Sequence, residues 1–177
     1  YKRQLPFSPT GAQRRAVKEA MRDMMSGRQM NRLLQGDVGS GKTAVAAALV
    51  YSAAKNSMQS ALMAPTEVLA EQHYKTFLKL FEGCSINVEL LTGSDTAAQK
   101  RRKKEALKAG EIDLLIGTHA IIQSDVEFKS LALVITDEQH RFGVNQRSSL
   151  ISKGEKPHVL VMSATPIPRT LALIIYG

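Results

Sequence analysis

The sequence contains no tryptophan and a single cysteine, and aromatic residues fill only 5% of its 177 positions. With Cys84 alone no intramolecular disulfide can form, which excludes a disulfide-stapled secreted scaffold and fits a reducing, cytoplasmic compartment. The scarcity of rings argues against reading unpaired nucleotides by base stacking. Long apolar runs are missing too. Ala44 to Tyr51 is the most obvious one, far short of the about 18 residues that span a bilayer. None of His73, His119, His140 and His158 has a second His or Cys at ligand spacing, which speaks against a zinc site. Acidic residues are in deficit: 16 Asp+Glu face 24 Lys+Arg, a net charge of +8. That excess suits a polyanionic partner, nucleic acid before an anionic membrane surface.

What is present is ordinary for a globular protein, with 44% apolar and 23% charged residues. At roughly 150 residues per domain the length predicts one domain over residues 1–177. The chain opens at Tyr1 with neither an initiator Met nor the apolar core of a signal peptide. It ends in the apolar stretch Leu171 to Gly177, so we expect one domain of a longer protein.

The hydrophobic period alternates along the chain. Thr10 to Ser26 reads as a helix capped by Thr10, with Ala16, Val17, Ala20, Met21 and Met24 at helical spacing. Arg32 to Gln35 reads as a strand, followed by a Gly-rich turn and an Ala-rich helix from Lys42 to about Lys55. Further strands are expected at Ser60 to Ala64, Asn87 to Leu91, Ile112 to Ile116, Leu131 to Thr136 and Val159 to Met162. Helices are expected from Thr66 to about Phe81 and from Thr96 to Ala109, with a short one after Gly117-Thr118. Short apolar strands alternating with helices predict an α/β fold, a mainly parallel sheet covered by helices on both faces. Ligands of such sheets gather at the carboxyl ends of the strands.

Gly36-Asp37-Val38-Gly39-Ser40-Gly41-Lys42-Thr43 fits the phosphate-loop pattern G-x-x-x-x-G-K-[ST] and lies between a predicted strand and helix. Its glycines let backbone N–H groups wrap a phosphate, and the helix N-terminus adds its dipole. Lys42 can reach the β- and γ-phosphate oxygens of a nucleotide, and the Thr43 hydroxyl can ligate Mg²⁺. Leu131 to Thr136 runs into Asp137-Glu138. A carboxylate there, Asp137, can hold the metal, and a second, Glu138, can orient and polarise the attacking water. Thr66 and Thr118 each follow a strand and open a helix, where a hydroxyl and free amides can meet a phosphate. The basic run Lys100-Arg101-Arg102-Lys103-Lys104 circles its helix and reads as a solvated face.

Five segments, Gly36 to Thr43, Ala64-Pro65-Thr66-Glu67, Gly117-Thr118-His119-Ala120, Asp137-Glu138-Gln139-His140 and Ser163-Ala164-Thr165, fall in the order of motifs I, Ia, Ib, II and III of superfamily 2 helicases. The chain resembles the first RecA-like motor lobe of that family. Leu5-Pro6-Phe7 with Thr10-Gly11-Ala12-Gln13 resembles the upstream adenine-reading element, which implies that Gln13 reads the base and Phe7 packs near it. The resemblance further implies ATP and Mg²⁺ as cofactors, DNA-backbone contacts at Thr66 and Thr118, and coupling of nucleotide state to DNA movement by Ser163, Thr165 and His140. Within the superfamily the motifs are most similar to bacterial helicases that regress forks and migrate Holliday junctions. The implied partners are branched DNA and, in the same full-length chain, a second RecA-like lobe and a wedge domain. That second lobe would bring the arginine that hydrolysis needs, so the lobe alone is expected to be nearly inactive. The motor of transcription-repair coupling factors is the nearest alternative, with Glu usual where Gln139 stands. A small-molecule P-loop kinase or GTPase would want an Asn-Lys-x-Asp element or a lid, and neither is visible. A decayed nucleotide sensor is opposed by the intact Lys42, Thr43, Asp137 and Glu138.

Overall fold

Helix α1 (Gly11–Met25) starts where Thr10 closes a capping box: the Thr10 hydroxyl accepts from Gln13 N–H, and the Gln13 amide oxygen accepts from Thr10 N–H. The fold is seen in a computed structural model that describes residues 8–36, 41–137 and 144–164. After α1 come β1 (Asn31–Gln35), α2 (Lys42–Lys55), β2 (Gln59–Met63), α3 (Glu67–Leu80), β3 (Val88–Leu91) and α4 (Ala97–Ala109). Then follow β4 (Leu114–Gly117), a single 3₁₀ turn (His119–Ile122), β5 (Leu131–Asp137), α5 (Val144–Ile151) and β6 (His158–Ser163). The strands form one six-stranded sheet in the order β1-β6-β5-β2-β4-β3. Every pairing in it is parallel. The expected α/β architecture is the one observed.

Both faces are covered, as parallel sheets require. Leu62, Leu114, Ile116, Leu133, Ile135, Leu160 and Met162 pack beneath α1, α2 and α3. Ala61, Met63, Leu91, Leu115 and Val134 pack on the other face with Leu107 of α4, Ile121 of the 3₁₀ turn and Leu150 of α5. Helix α2 is buried nearly all round, from Val45 to Tyr51, and its alanines let its backbone lie close to the sheet. In β5 the register slips between its pairings with Gln59 and Ser60, skipping Ala132. The extra residue flips the alternation, so Leu131 shares a face with Val134 while Leu133 and Ile135 take the other.

Three local expectations need correction. Strand β4 begins at Leu114 rather than Ile112; Asp113 and Leu114 both donate their N–H groups to the Asn87 carbonyl just ahead of β3, so the regular ladder starts only there. Helix α5 was not expected at all; its sequence Val-Asn-Gln-Arg-Ser-Ser-Leu-Ile has weak helix formers and no apolar period. The basic run is not simply a solvated face. Lys103 is only 8% exposed, and its ammonium donates to Asp95 Oδ2 at 2.9 Å and to the Leu90 carbonyl at 2.5 Å. Lys104 pairs with Asp125 at 2.6 Å and Lys100 donates to the Gly93 carbonyl, leaving Arg101 and Arg102 as the outward pair.

Candidate nucleotide and DNA site

Because all six strands run the same way, their carboxyl ends lie along one edge of the sheet. Gln35 is level with Ser163, Met162 with Asp137, Thr136 with Met63, and Gly117 with both Met63 and Leu91. Segments scattered over more than a hundred positions thereby form a row. From β1 to β4 it reads Gly36, Ser163, Asp137, Thr66, Thr118.

At the β1 end, Gly36 N–H donates to the Ser163 carbonyl at 3.2 Å, which ties the start of the phosphate loop to the last strand. The Lys42 ammonium donates to the Gly36 carbonyl at 2.5 Å, so the side chain bends back toward the end of β1. Gly41 closes the loop at φ 80°, a left-handed conformation open to glycine, and is the N-cap of α2. A Cβ there would meet Gln13 Nε2 at 1.9 Å, so a larger residue would have to push the Gln13 amide aside as well as adopt the left-handed backbone. Lys42 and Thr43 form the first turn of α2, where the helix dipole favours an anion. Asp37, Val38, Gly39 and Ser40 lie outside the described residues.

Gln13, the expected adenine reader, donates from Nε2 to the Gly41 carbonyl at 3.4 Å while its Oε1 accepts from Thr10. Each end of a carboxamide has capacity for one more bond, so the side chain retains a donor and an acceptor. Phe7 lies outside the described residues.

At the centre, alternation along β5 turns Asp137 to the face of Leu133 and Ile135, the face that α2 and α3 cover. There its Oδ2 meets His73 Nε2 of α3 at 2.6 Å, with both side chains largely buried. His73 was overlooked as a site residue. The available signal was its place on α3 between the buried Ala70 and Phe77, a polar ring on an inward apolar stripe. Asp137 and Thr43 offer hard oxygen donors of the kind Mg²⁺ takes, usually one or two carboxylates or hydroxyls with phosphate and water completing the shell. No group of three His, Cys, Asp or Glu side chains converges among the described residues. Glu138, His140 and Thr165 lie outside the described residues, and Ser163 is buried at the end of β6.

At the other end, Thr66 is the exposed N-cap of α3, its hydroxyl accepting from Leu69 N–H at 3.2 Å. Thr118 precedes the 3₁₀ turn and makes no capping bond with its side chain. Beside it Gly117 passes so close to β3 that a Cβ would meet the Leu91 carbonyl at 2.3 Å.

The opposite edge, where the strands begin, carries stability instead. Met30 N–H donates to His158 Nδ1 at 2.9 Å, and burial holds the imidazole below its usual pKa, with Asp23 acting in the other direction. Arg32 bonds Asp23 and keeps that carboxyl below the usual range. Among the described residues no helix is long and apolar enough to cross a membrane.

Comparison with known proteins gives the family and the fold. The family model for DEAD/DEAH box helicases matches residues 10–174. The chain is 58% identical over 173 residues to the ATP-dependent DNA helicase RecG of Bacillus subtilis, covering 98% of this chain and 25% of that protein. It is 57% identical over 175 residues to RecG of Aquifex aeolicus, covering 98% and 22%. A solved structure of RecG bound to a three-way DNA junction superposes with a TM-score of 0.84 at 51% identity, over 99% of this chain and 23% of that one. The UvsW helicase of bacteriophage T4, at 19% identity and a TM-score of 0.71 over 96% of this chain and 56% of that one, shares the fold. The chain thus spans about a quarter of the curated relatives it matches. With a phosphate loop, an acidic strand end and two helix-opening threonines in one row, and a family model that matches nearly from end to end, the chain belongs to the DEAD/DEAH box helicase family.

Proposed function

We propose that this chain is the ATP-binding motor lobe of a RecG-like DNA translocase that remodels branched DNA, with forks and Holliday junctions as substrates. The observation that carries the reading is the row along the sheet edge, which gathers phosphate-binding groups at one end and helix-opening threonines at the other, in a chain 58% identical to a RecG.

In this reading the amides from Gly36 to Thr43 and the Lys42 ammonium hold the β- and γ-phosphates. On binding ATP, Lys42 would exchange the Gly36 carbonyl for a phosphate oxygen. Thr43 and Asp137 would hold Mg²⁺, which supplies charge neutralisation on the phosphates. Glu138 orients the attacking water and accepts its proton. Gln13 and Phe7 contact the adenine. Thr66 and Thr118 meet the DNA backbone, which positions the duplex without reading its sequence. Ser163, Thr165 and His140 connect the two ends of the row. A second lobe supplies the arginine that stabilises charge on the γ-phosphate, typically about 10³–10⁵ in rate.

The test uses the full-length protein. Lys42→Ala should lower kcat for ATP hydrolysis at least about 10²-fold while fork binding stays nearly unchanged. Glu138→Gln should bind ATP and retain it unhydrolysed. Wild-type turnover in either variant would end the reading of that residue, and hydrolysis indifferent to branched DNA would end the translocase reading.

A further inference from the structure

The His73–Asp137 bond joins two elements that the chemistry above uses separately. A carboxylate can only accept, so Nε2 of His73 carries the hydrogen and donates it to Oδ2 at 2.6 Å. The side chains are 14% and 10% exposed, so water competes little for the bond. With Oδ2 engaged, Oδ1 is the oxygen that stays available to a cation or to its bound water. The ring is itself held, because α3 seats Ala70 and Phe77, both fully buried, against the sheet on either side of it.

We propose that His73 is a positioning residue for the metal of the nucleotide complex, presenting the Asp137 carboxylate through its Nε2 hydrogen bond. The proposal rests on the ATP-site reading above. Carboxylates that ligate metals are held by such outer partners, and loss of one typically costs about 10–100-fold in metal affinity or activity. Without the imidazole the Asp137 carboxylate could rotate, and cation binding would have to order it. The requirement for Mg²⁺ would rise, while binding of nucleotide without metal, which depends on the loop and Lys42, would not change. A bond that merely pinned α3 to β5 would alter stability and leave the Mg²⁺ requirement where it was.

The experiment follows a fluorescent ADP analogue binding to the full-length protein as Mg²⁺ is titrated, with a parallel measurement in EDTA. His73→Leu removes the donor and fills the space; His73→Gln keeps an N–H at similar reach. We expect the Leu variant to need about 10–100-fold more Mg²⁺ for half-maximal binding. Its binding in EDTA should be within about twofold of wild type, and the Gln variant should recover most of the loss. If Leu prevents folding, His73→Asn, polar but one carbon too short, takes its place with the same expected rise. A Mg²⁺ requirement within about threefold of wild type in the donorless variant would overturn the proposal, as would failure of Gln to restore it. The underlying reading fails separately and visibly: wild-type protein would take up no Mg-nucleotide, or Lys42→Ala would bind it as tightly as wild type. Either result would remove the ground of the proposal as well.

Discussion

Gln13 Nε2 donates to the Gly41 carbonyl at 3.4 Å, joining the cap of α1 to the end of the phosphate loop across 28 positions of sequence. The same amide closes the Thr10 capping box, so one side chain orders the first helix and leans on the loop. A residue that reads adenine from this position would therefore sense the loop and the base together. Gln13→Ala should raise the KM for ATP about 3–10-fold, the loss of roughly one hydrogen bond, with little change in kcat. Preference for ATP over GTP should narrow in the same assay. Unchanged KM values for both nucleotides would remove Gln13 from the site.

The two threonines of the proposed DNA end separate capping from contact. Thr66 caps α3 through Leu69 N–H, so Thr66→Ala should cost about 1 kcal/mol of stability. Thr118 makes no such bond, so Thr118→Ala should stay within about 0.5 kcal/mol. Both should raise the DNA concentration for half-maximal ATPase stimulation by about 3–10-fold. A Thr118 variant stimulated like wild type would show that its hydroxyl faces no phosphate.

Lys103 tests the basic run. Lys103→Met keeps the stem but removes the ammonium that bonds Asp95 and the Leu90 carbonyl, and should cost about 1–3 kcal/mol. Arg101→Met and Arg102→Met should each change stability by less than about 0.5 kcal/mol. Hydrogen exchange across α4 reads the difference. Equal effects at all three positions would contradict the buried role of Lys103.

His158 gives the protein a pH dependence of definite sign. Burial lowers its pKa below the ordinary 6.5, and its Nδ1 must be unprotonated to accept from Met30. The folded state therefore binds fewer protons than the unfolded one. The contribution is fully present above the unfolded pKa and is lost as pH falls from about 6.5 through the lower folded value. His158→Asn, whose Oδ1 can still accept, should flatten this part of the profile. Denaturation midpoints compared between pH 8 and pH 5 would check it; a wild-type slope retained in the variant would exclude His158 as its source.

Much of this protein was legible along the chain because its determinants are local. Thr10 directly precedes the apolar period of α1, and so its role as a cap can be read from the chain, although Gln13's share in it cannot. The phosphate loop is eight consecutive residues whose glycines and lysine act through backbone reach alone. Apolar runs such as Leu131 to Ile135 announce buried strands, and their regular alternation with helices announces a parallel sheet. Tertiary structure decided the rest, because strand order and register depend on contacts between distant segments. The order β1-β6-β5-β2-β4-β3 sets β5 beside β2, and there His73, 64 positions away, finds the Asp137 carboxylate. The skipped Ala132 in β5 reverses which residues face α3, something no alternation rule applied from Leu131 onward would reveal. Lys103 looked solvated in a run of five cations, until the fold set Asp95 and the Leu90 carbonyl around it. A charge's surroundings are a property of the packed molecule, and a sequence period reports only which face a residue occupies.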